Sequence, residues 1–243
     1  MHPTVPKKPV LTEPPYASSI MAIAAHPDDI EFWCAGTLAR SVAHGSTVRL
    51  LLVTSGDKGS ADPEASPFAV ALRREAEARA AAELLELAEI VFLRCPDGEV
   101  ENSRALRGEL VYWIRHWRPQ VLFTHDPEHP LPPYVSHRDH RIVGRAALDA
   151  VYPLARDRLS FPEHEANGLA PHAVGDVWLF ASGSADSIVD ITSSVERKIA
   201  ARLAHESQTP NPEALRESWT ARAAEIGRSL GLSAAEAFTV LRR

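Results

Sequence analysis

The sequence predicts an α/β fold: a three-layer, Rossmann-like domain in which a mostly parallel sheet is flanked by helices. Three observations predict it. Short apolar runs alternate with longer amphipathic segments from residue 19 onward, a succession that packs helices over both faces of a sheet. The runs show almost no polar alternation, as strands buried on both faces do. Each of the first four ends in a polar segment carrying Gly or Pro together with Asp or His.

In chain order, residues 1–16 are rich in Pro and Lys. An irregular arm is expected over residues 1–18, lying against the body or a neighbouring subunit, followed by one domain over 19–243. Residues 20–25 form the first strand, closed by His26-Pro27-Asp28-Asp29, and residues 48–54 the second, closed by Ser55-Gly56-Asp57-Lys58-Gly59. Residues 68–87 are dense in helix formers, with Leu72, Ala76, Leu84 and Leu87 available to one apolar stripe. The third strand, 90–93, precedes Cys95-Pro96-Asp97-Gly98, and a helix over 103–117 spaces Leu106, Leu110, Trp113 and Trp117 at helical intervals. The fourth strand, 121–124, precedes His125-Asp126-Pro127. Four prolines within 125–134 dictate a stiff, non-helical path; it is expected to rim the pocket, with Tyr134 in reach. A helix over 140–152, a loop-like stretch over 153–175, a fifth strand over 177–181 and a helix over 195–205 follow. The last helix, 213–232, is expected to have no strand after it.

Composition narrows the function. The chain has 243 residues, 45% hydrophobic and 24% charged, an ordinary globular balance. A chain of this length buries a core without disulfides or structural metal, so a metal-ligand cluster would serve chemistry. The net charge is -6, and like-charge runs stop at pairs such as Lys7-Lys8 and Arg73-Arg74; no nucleic-acid partner is expected. Two cysteines in separate apolar neighbourhoods, Cys34 and Cys95, make no disulfide framework, and a cytoplasmic setting is expected. No signal-peptide core and no apolar run of about 18 to 20 residues occurs, so a soluble protein without a membrane partner is expected. The arm and the last helix, expected to be an exposed tail, leave room for contacts between subunits of a homo-oligomer.

Two constellations carry chemistry. His26 and Asp29 stand three residues apart across a proline-stiffened turn, a spacing that brings both to one ion. Catalytic zinc takes imidazole and carboxylate, with three protein ligands and an open water position. Asp28 would then lie beside the metal, where a general base for its water belongs; an N-cap role is the alternative reading of this turn. His137-Arg138-Asp139-His140 opens a helix, so His137 and His140 share a face. One can bind metal while the other faces substrate, and Asp139 can orient an imidazole.

These residues resemble the LmbE-like family, which includes the N-acetylglucosaminyl-phosphatidylinositol deacetylases (PIG-L). Its AHPDD segment stands here as Ala25-His26-Pro27-Asp28-Asp29, and its HxDH segment as His137-Arg138-Asp139-His140. Residues 54–59 resemble the family's TxGExG loop, with Asp57 in place of Glu. Arg74 and Glu77 match an R-x-x-E, Asp97-Gly98 an Asp-Gly, and Lys198 with His205-Glu206-Ser207-Gln208 a K…HxSQ segment. The resemblance covers about residues 20–210. It implies one zinc ion per chain, or another divalent metal, on His26, Asp29 and His140, with Asp28 as general base. It also implies that His137 stabilises the oxyanion or protonates the leaving amine, and that Arg74 and Asp97 contact substrate. The implied reaction is removal of the N-acetyl group from an N-acetylglucosamine-type sugar, a small-molecule substrate. The rival readings are another metal-dependent amidase or esterase on the same site, and a non-catalytic metal-binding relative. A nucleotide-binding Rossmann domain would need a Gly-rich turn where His26-Pro27-Asp28-Asp29 stands.

Overall fold

The computed structural model describes residues 9–128 and 137–242. The first eight residues of the expected arm, Tyr134 and most of the proline-rich rim lie outside the described residues. The chain runs β1 (Val10–Leu11), β2 (Ser19–Ala24), α1 (Asp29–Trp33), α2 (Ala35–Ala43), β3 (Thr47–Thr54), α3 (Pro67–Leu84), β4 (Glu89–Cys95), α4 (Arg104–Trp117), β5 (Val121–His125) and α5 (Arg138–Asp149). It continues through α6 (Pro162–Ala166), β6 (Asp176–Phe180), β7 (Ser187–Asp190), α7 (Val195–Leu203), α8 (Pro212–Gly227) and β8 (Ala235–Leu241).

One eight-stranded sheet has the order β1-β7-β8-β6-β5-β2-β3-β4. The β6-β5-β2-β3-β4 section is parallel throughout, as strands without polar alternation require. Its central runs are buried: Ile20, Ala22, Leu50, Leu52 and Phe123 pack in one core layer, and Met21, Ile23, Leu51 and Leu122 in the other. Alternate residues face opposite layers, so each layer receives helices. Successive strands leave β2 through β3 to β4 and then restart at β5 on its other side. The crevice beyond β2 and β5 is therefore the topological switch point, where open α/β sheets place ligands.

Four expectations need correction. The arm is not irregular throughout, since Val10 and Leu11 pair with Ser187 and Ile188 of β7. The last helix is followed by a strand: β8 runs antiparallel between β6 and β7. Nor is that helix an exposed tail, because α8 buries Trp219 and Ala223 against the sheet side of the core. The expected stripe on α3 is also displaced. Leu72 is 53% and Leu84 45% exposed, while the inward face carries Arg74, Glu75 and Glu77 with Ala78, Ala81 and Ala82. Those charges are buried because each finds a partner on another segment, as buried charges must.

Candidate active site

The expected residues gather at the switch point. Ala24 ends β2, and the next turn places Asp28 at φ 92°, in the left-handed region. Asp is one of the few side chains that enters this region at modest cost. The turn sends His26, Asp28 and Asp29 over the end of the sheet. The amide of His26 donates to Asp29 Oδ2 at 2.8 Å, so backbone and side chain of the motif brace each other. His137 caps α5, its Nδ1 accepting from the Asp139 amide at 3.3 Å. Gly144 lets that helix approach: a Cβ there would lie 2.4 Å from the carbonyl oxygen of His125.

His26 Nδ1 lies 3.2 Å from His140 Nε2, which is 3.0 Å from Asp29 Oδ1; Asp29 Oδ2 lies 3.6 Å from His26 Nδ1. Ligand atoms of a tetrahedral zinc at bonds of about 2.0 to 2.2 Å stand about 3.3 Å apart, so this donor set fits the metal. The electrostatics agree. Asp97 Oδ1 lies 3.0 Å and Asp139 Oδ2 3.5 Å from His26 Nε2. Burial works against charging His26, but hydrogen bonds with Asp139, Asp29 and Asp97 raise it to about 11. Three carboxylates thus surround one imidazole, so the pocket favours positive charge, and a metal would have to displace the proton from His26. Close His and Asp groupings that could hold an ion are His26, His137 and His140; His26, Asp97, His137 and Asp139; and Asp29, His125 and His140.

Asp28 sits to one side of this cluster. Arg74 Nη2 is 3.5 Å from its Oδ1 and Arg202 Nη2 3.7 Å from its Oδ2. Burial and the charge on Asp29 raise its carboxyl above the ordinary range, against the two arginines. Asp28 stands at the N-cap of α1, but its side chain makes no capping hydrogen bond, so position alone supports the N-cap alternative. His137 is lowered, by burial and then by the charge of His26; its side chain is 44% exposed, toward solvent.

Arg74 is buried, and its guanidinium donates to Gly56 O at 3.0 Å and Pro27 O at 2.8 Å. The Thr54–Gly59 loop therefore serves as its socket. Asp97 is buried and turned to His26, and its amide donates to Asp57 Oδ1 at 2.9 Å. Asp139 accepts from the Gly98 amide at 2.6 Å, locking the Asp97-Gly98 turn to α5. Ser207 donates to both carboxylate oxygens of Glu77, and Gln208 Nε2 to Gly59 O, which joins the late H-E-S-Q segment to α3 and the socket loop.

Two residues escape a reading of the sequence. His125, expected on the rim, is wholly buried under the site: its Nε2 lies 3.2 Å from Asp29 Oδ2 and its ring stacks on His140 at 4.2 Å. Burial, and next the charge of His140, lower it to about 4, so it stays neutral. Its place as the last residue of a buried strand was the available signal. Arg202, fixed by bonds to Thr209 Oγ1 at 2.6 Å and Gln208 O at 3.0 Å, had none beyond its helix.

The sequence profile of the family described as PIG-L, GlcNAc-PI de-N-acetylase, matches residues 21–151. Diacetylchitobiose deacetylase of Thermococcus kodakarensis is 34% identical over 191 residues, covering 79% of this chain and 70% of that protein. The 1D-myo-inositol 2-acetamido-2-deoxy-alpha-D-glucopyranoside deacetylase of Streptomyces avermitilis is 31% identical over 59% of this chain and 57% of its own. The solved structure of N,N'-diacetylchitobiose deacetylase from Pyrococcus horikoshii, complexed with its inhibitor MPG, superposes with a TM-score of 0.86 at 29% identity, over 93% of this chain and 84% of that one. The profile matches more than half of the chain and the fold superposes on that deacetylase structure, and the chain belongs to the PIG-L family of LmbE-like deacetylases.

Proposed function

We propose that this chain is a zinc-dependent hydrolase that removes the N-acetyl group from an N-acetylglucosamine-type sugar or glycoside, releasing acetate. The observation that carries this reading is the convergence of His26, Asp29 and His140 within 3.0 to 3.6 Å beside a carboxylate, Asp28, set between two arginines. The relatives named for amino-sugar deacetylation support the substrate class. The two free thiols, Cys34 and Cys95, support the cytoplasmic setting.

His26, Asp29 and His140 would hold the metal. When bound, zinc lowers the pKa of a water to about 7 and polarises a carbonyl. Asp28 takes the proton as the water oxygen attacks the acetyl carbon. Its raised pKa moves it toward the neutral range where a general base works best. Arg74 and Arg202 hold the two carboxylate oxygens in place, so Asp28 meets the water without reorganising. His137, whose Nδ1 accepts the Asp139 amide, has Nε2 left to donate to the oxyanion. The proton reaches the amine nitrogen from Asp28, which took it from the water, or from His137 in its imidazolium form, in which Nδ1 carries a proton and no longer accepts the Asp139 amide; the C–N bond breaks, and acetate leaves. Asp97 and Asp139 fix the His26 ring through its other nitrogen, as carboxylates behind ligating histidines do.

The test is acetate release from N-acetylglucosamine and N,N′-diacetylchitobiose by metal-free protein, with and without zinc. Asp28→Asn should keep one equivalent of zinc and lose about 10² to 10⁴ in kcat. Near-normal turnover in that variant would remove Asp28 from the mechanism, and failure of the wild type to bind zinc would remove the metal.

A further inference from the structure

Asp28 stands at the head of α1, a helix of five residues, too short to hold an orientation of its own. Its support comes from α7 and the turn that ends it. Lys198 Nζ donates to Phe32 O at 3.0 Å and grips the far end of α1. Nearer the site, two acids of α1 meet two basic side chains. Arg202 Nη2 is 3.7 Å from Asp28 Oδ2, and His205 Nε2 is 3.5 Å from Glu31 Oε1. Asp28 and Glu31 are three residues apart, as are Arg202 and His205, so the two contacts are rungs between one turn and another. The first rung lines the cavity beside the metal cluster, and the second is wholly buried. Among the described residues, neither ring nitrogen of His205 makes a hydrogen bond, and Glu31 Oε2 makes none. Each of these buried polar groups therefore depends on the other for compensation.

The backbone of His205 carries the contact onward. Its carbonyl accepts from the Gln208 amide at 3.0 Å and from Thr209 Oγ1 at 2.8 Å. Gln208 and Thr209 are the residues that hold the Arg202 guanidinium, through Gln208 O and Thr209 Oγ1. We infer that His205 is a positioning residue for the general base: paired with Glu31, it fixes the turn that holds Arg202, and Arg202 holds Asp28. The chain of contacts leaves α1 at Glu31 and returns to it at Asp28. Being wholly buried, His205 and Glu31 meet no substrate and act only through that chain. This inference rests on the deacetylase reading, in which Asp28 is the base. Apolar side chains could fill the same space, but their attraction is non-directional and would let α1 shift against α7. A buried pair in which each group has one partner fixes the distance between the two turns.

Acetate release by the zinc-loaded full chain tests this. The double variant Glu31→Met with His205→Leu leaves no buried charge alone, so its fold should hold, which thermal unfolding checks. It should still bind one equivalent of zinc and lose about 10- to 100-fold in kcat, the range for groups that orient a site from behind. Its KM should stay within about twofold, since ground-state binding is untouched. His205→Gln, whose amide can still donate to Glu31, should keep kcat within about threefold of wild type. In an Arg202→Met background the apolar pair should cost no further kcat, because the chain is already broken there. Should the apolar pair unfold, His205→Asn, whose shorter amide misses Glu31, takes its place in the same cycle. Wild-type kcat in the apolar pair, or an undiminished cost in the Arg202→Met background, would overturn the positioning role. If wild type releases no acetate from N-acetylglucosamine or N,N′-diacetylchitobiose, the deacetylase reading falls and crystal structures of the variants decide the inference. The 3.7 Å contact of Arg202 with Asp28 should survive His205→Gln and be lost in the apolar pair. Its survival in the apolar pair would overturn the inference.

Discussion

Arg74 shows how a single site residue depends on what surrounds it. A Cβ on Gly56 would sit 2.1 Å from its Nη1, and one on Gly59 2.3 Å from the same atom; Gly56 also lies at φ +63°. Gly56→Ala should therefore cost about 1 to 3 kcal/mol in stability through backbone strain. It should also lower kcat/KM, because the displaced guanidinium releases Pro27 O and Asp28. Thermal unfolding and acetate release on one preparation check both; unchanged activity would separate Arg74 from the site. The residues that were legible are those whose partners are local. His26, Asp28 and Asp29 share a turn, and His137, Asp139 and His140 share a helix start. His125 and Arg202 were not, because their roles come from contacts with residues of the 25–29 segment far away in the sequence.

At the scale of elements, burial follows partnership more than hydrophobicity. The α3 stripe was misplaced because the face that turns inward carries Arg74, Glu75 and Glu77, whose partners lie on other segments. Glu75 accepts from Arg94 at 2.7 and 2.9 Å and from Ser55 at 2.7 Å. The Arg94 bonds, aided by Ser55 and opposed by burial, lower its carboxyl below the ordinary 4.5. A depressed carboxylate contributes stability that is present above its unfolded pKa and lost as pH falls through the folded one. Glu75→Gln should therefore lower stability at neutral pH and flatten the acid limb of the unfolding curve below about pH 4.5. An acid limb as steep as that of the wild type would show that Glu75 takes no part. The same logic hid β8. Its Glu236 is a charge in a mostly apolar strand, yet it is buried, bonded to Lys198 at 2.5 Å and to the Gly36 and Thr37 amides at 3.0 and 2.8 Å. Glu236→Ala leaves Lys198 buried without its carboxylate and should cost about 3 to 5 kcal/mol, read from denaturant unfolding.

For the whole molecule, the parallel section was legible because its strands are continuous apolar runs ending in the residues of the site, and the switch point follows from their order. The remainder was not. β1 has two residues and β7 four, too short for a periodic signal, and β8 enters the sheet out of sequence order. No helix among the described residues is long and apolar enough to cross a membrane. Because β8 alone joins β7 to β6, removing residues 234–243 should abolish cooperative unfolding; a sharp calorimetric transition in the truncated chain would contradict this. The same topology bears on synthesis. The strands that bear the metal cluster, β2 and β5, are translated before residue 126 and pair with each other, while the second neighbour of β5, β6, follows only at 176–180. The β1–β7 pair joins the rest of the sheet only once β8 has left the ribosome. A nascent chain thus passes through a stage in which the catalytic half is assembled while β6 and β7 both expose open edges, and in that interval chaperone contact would matter most.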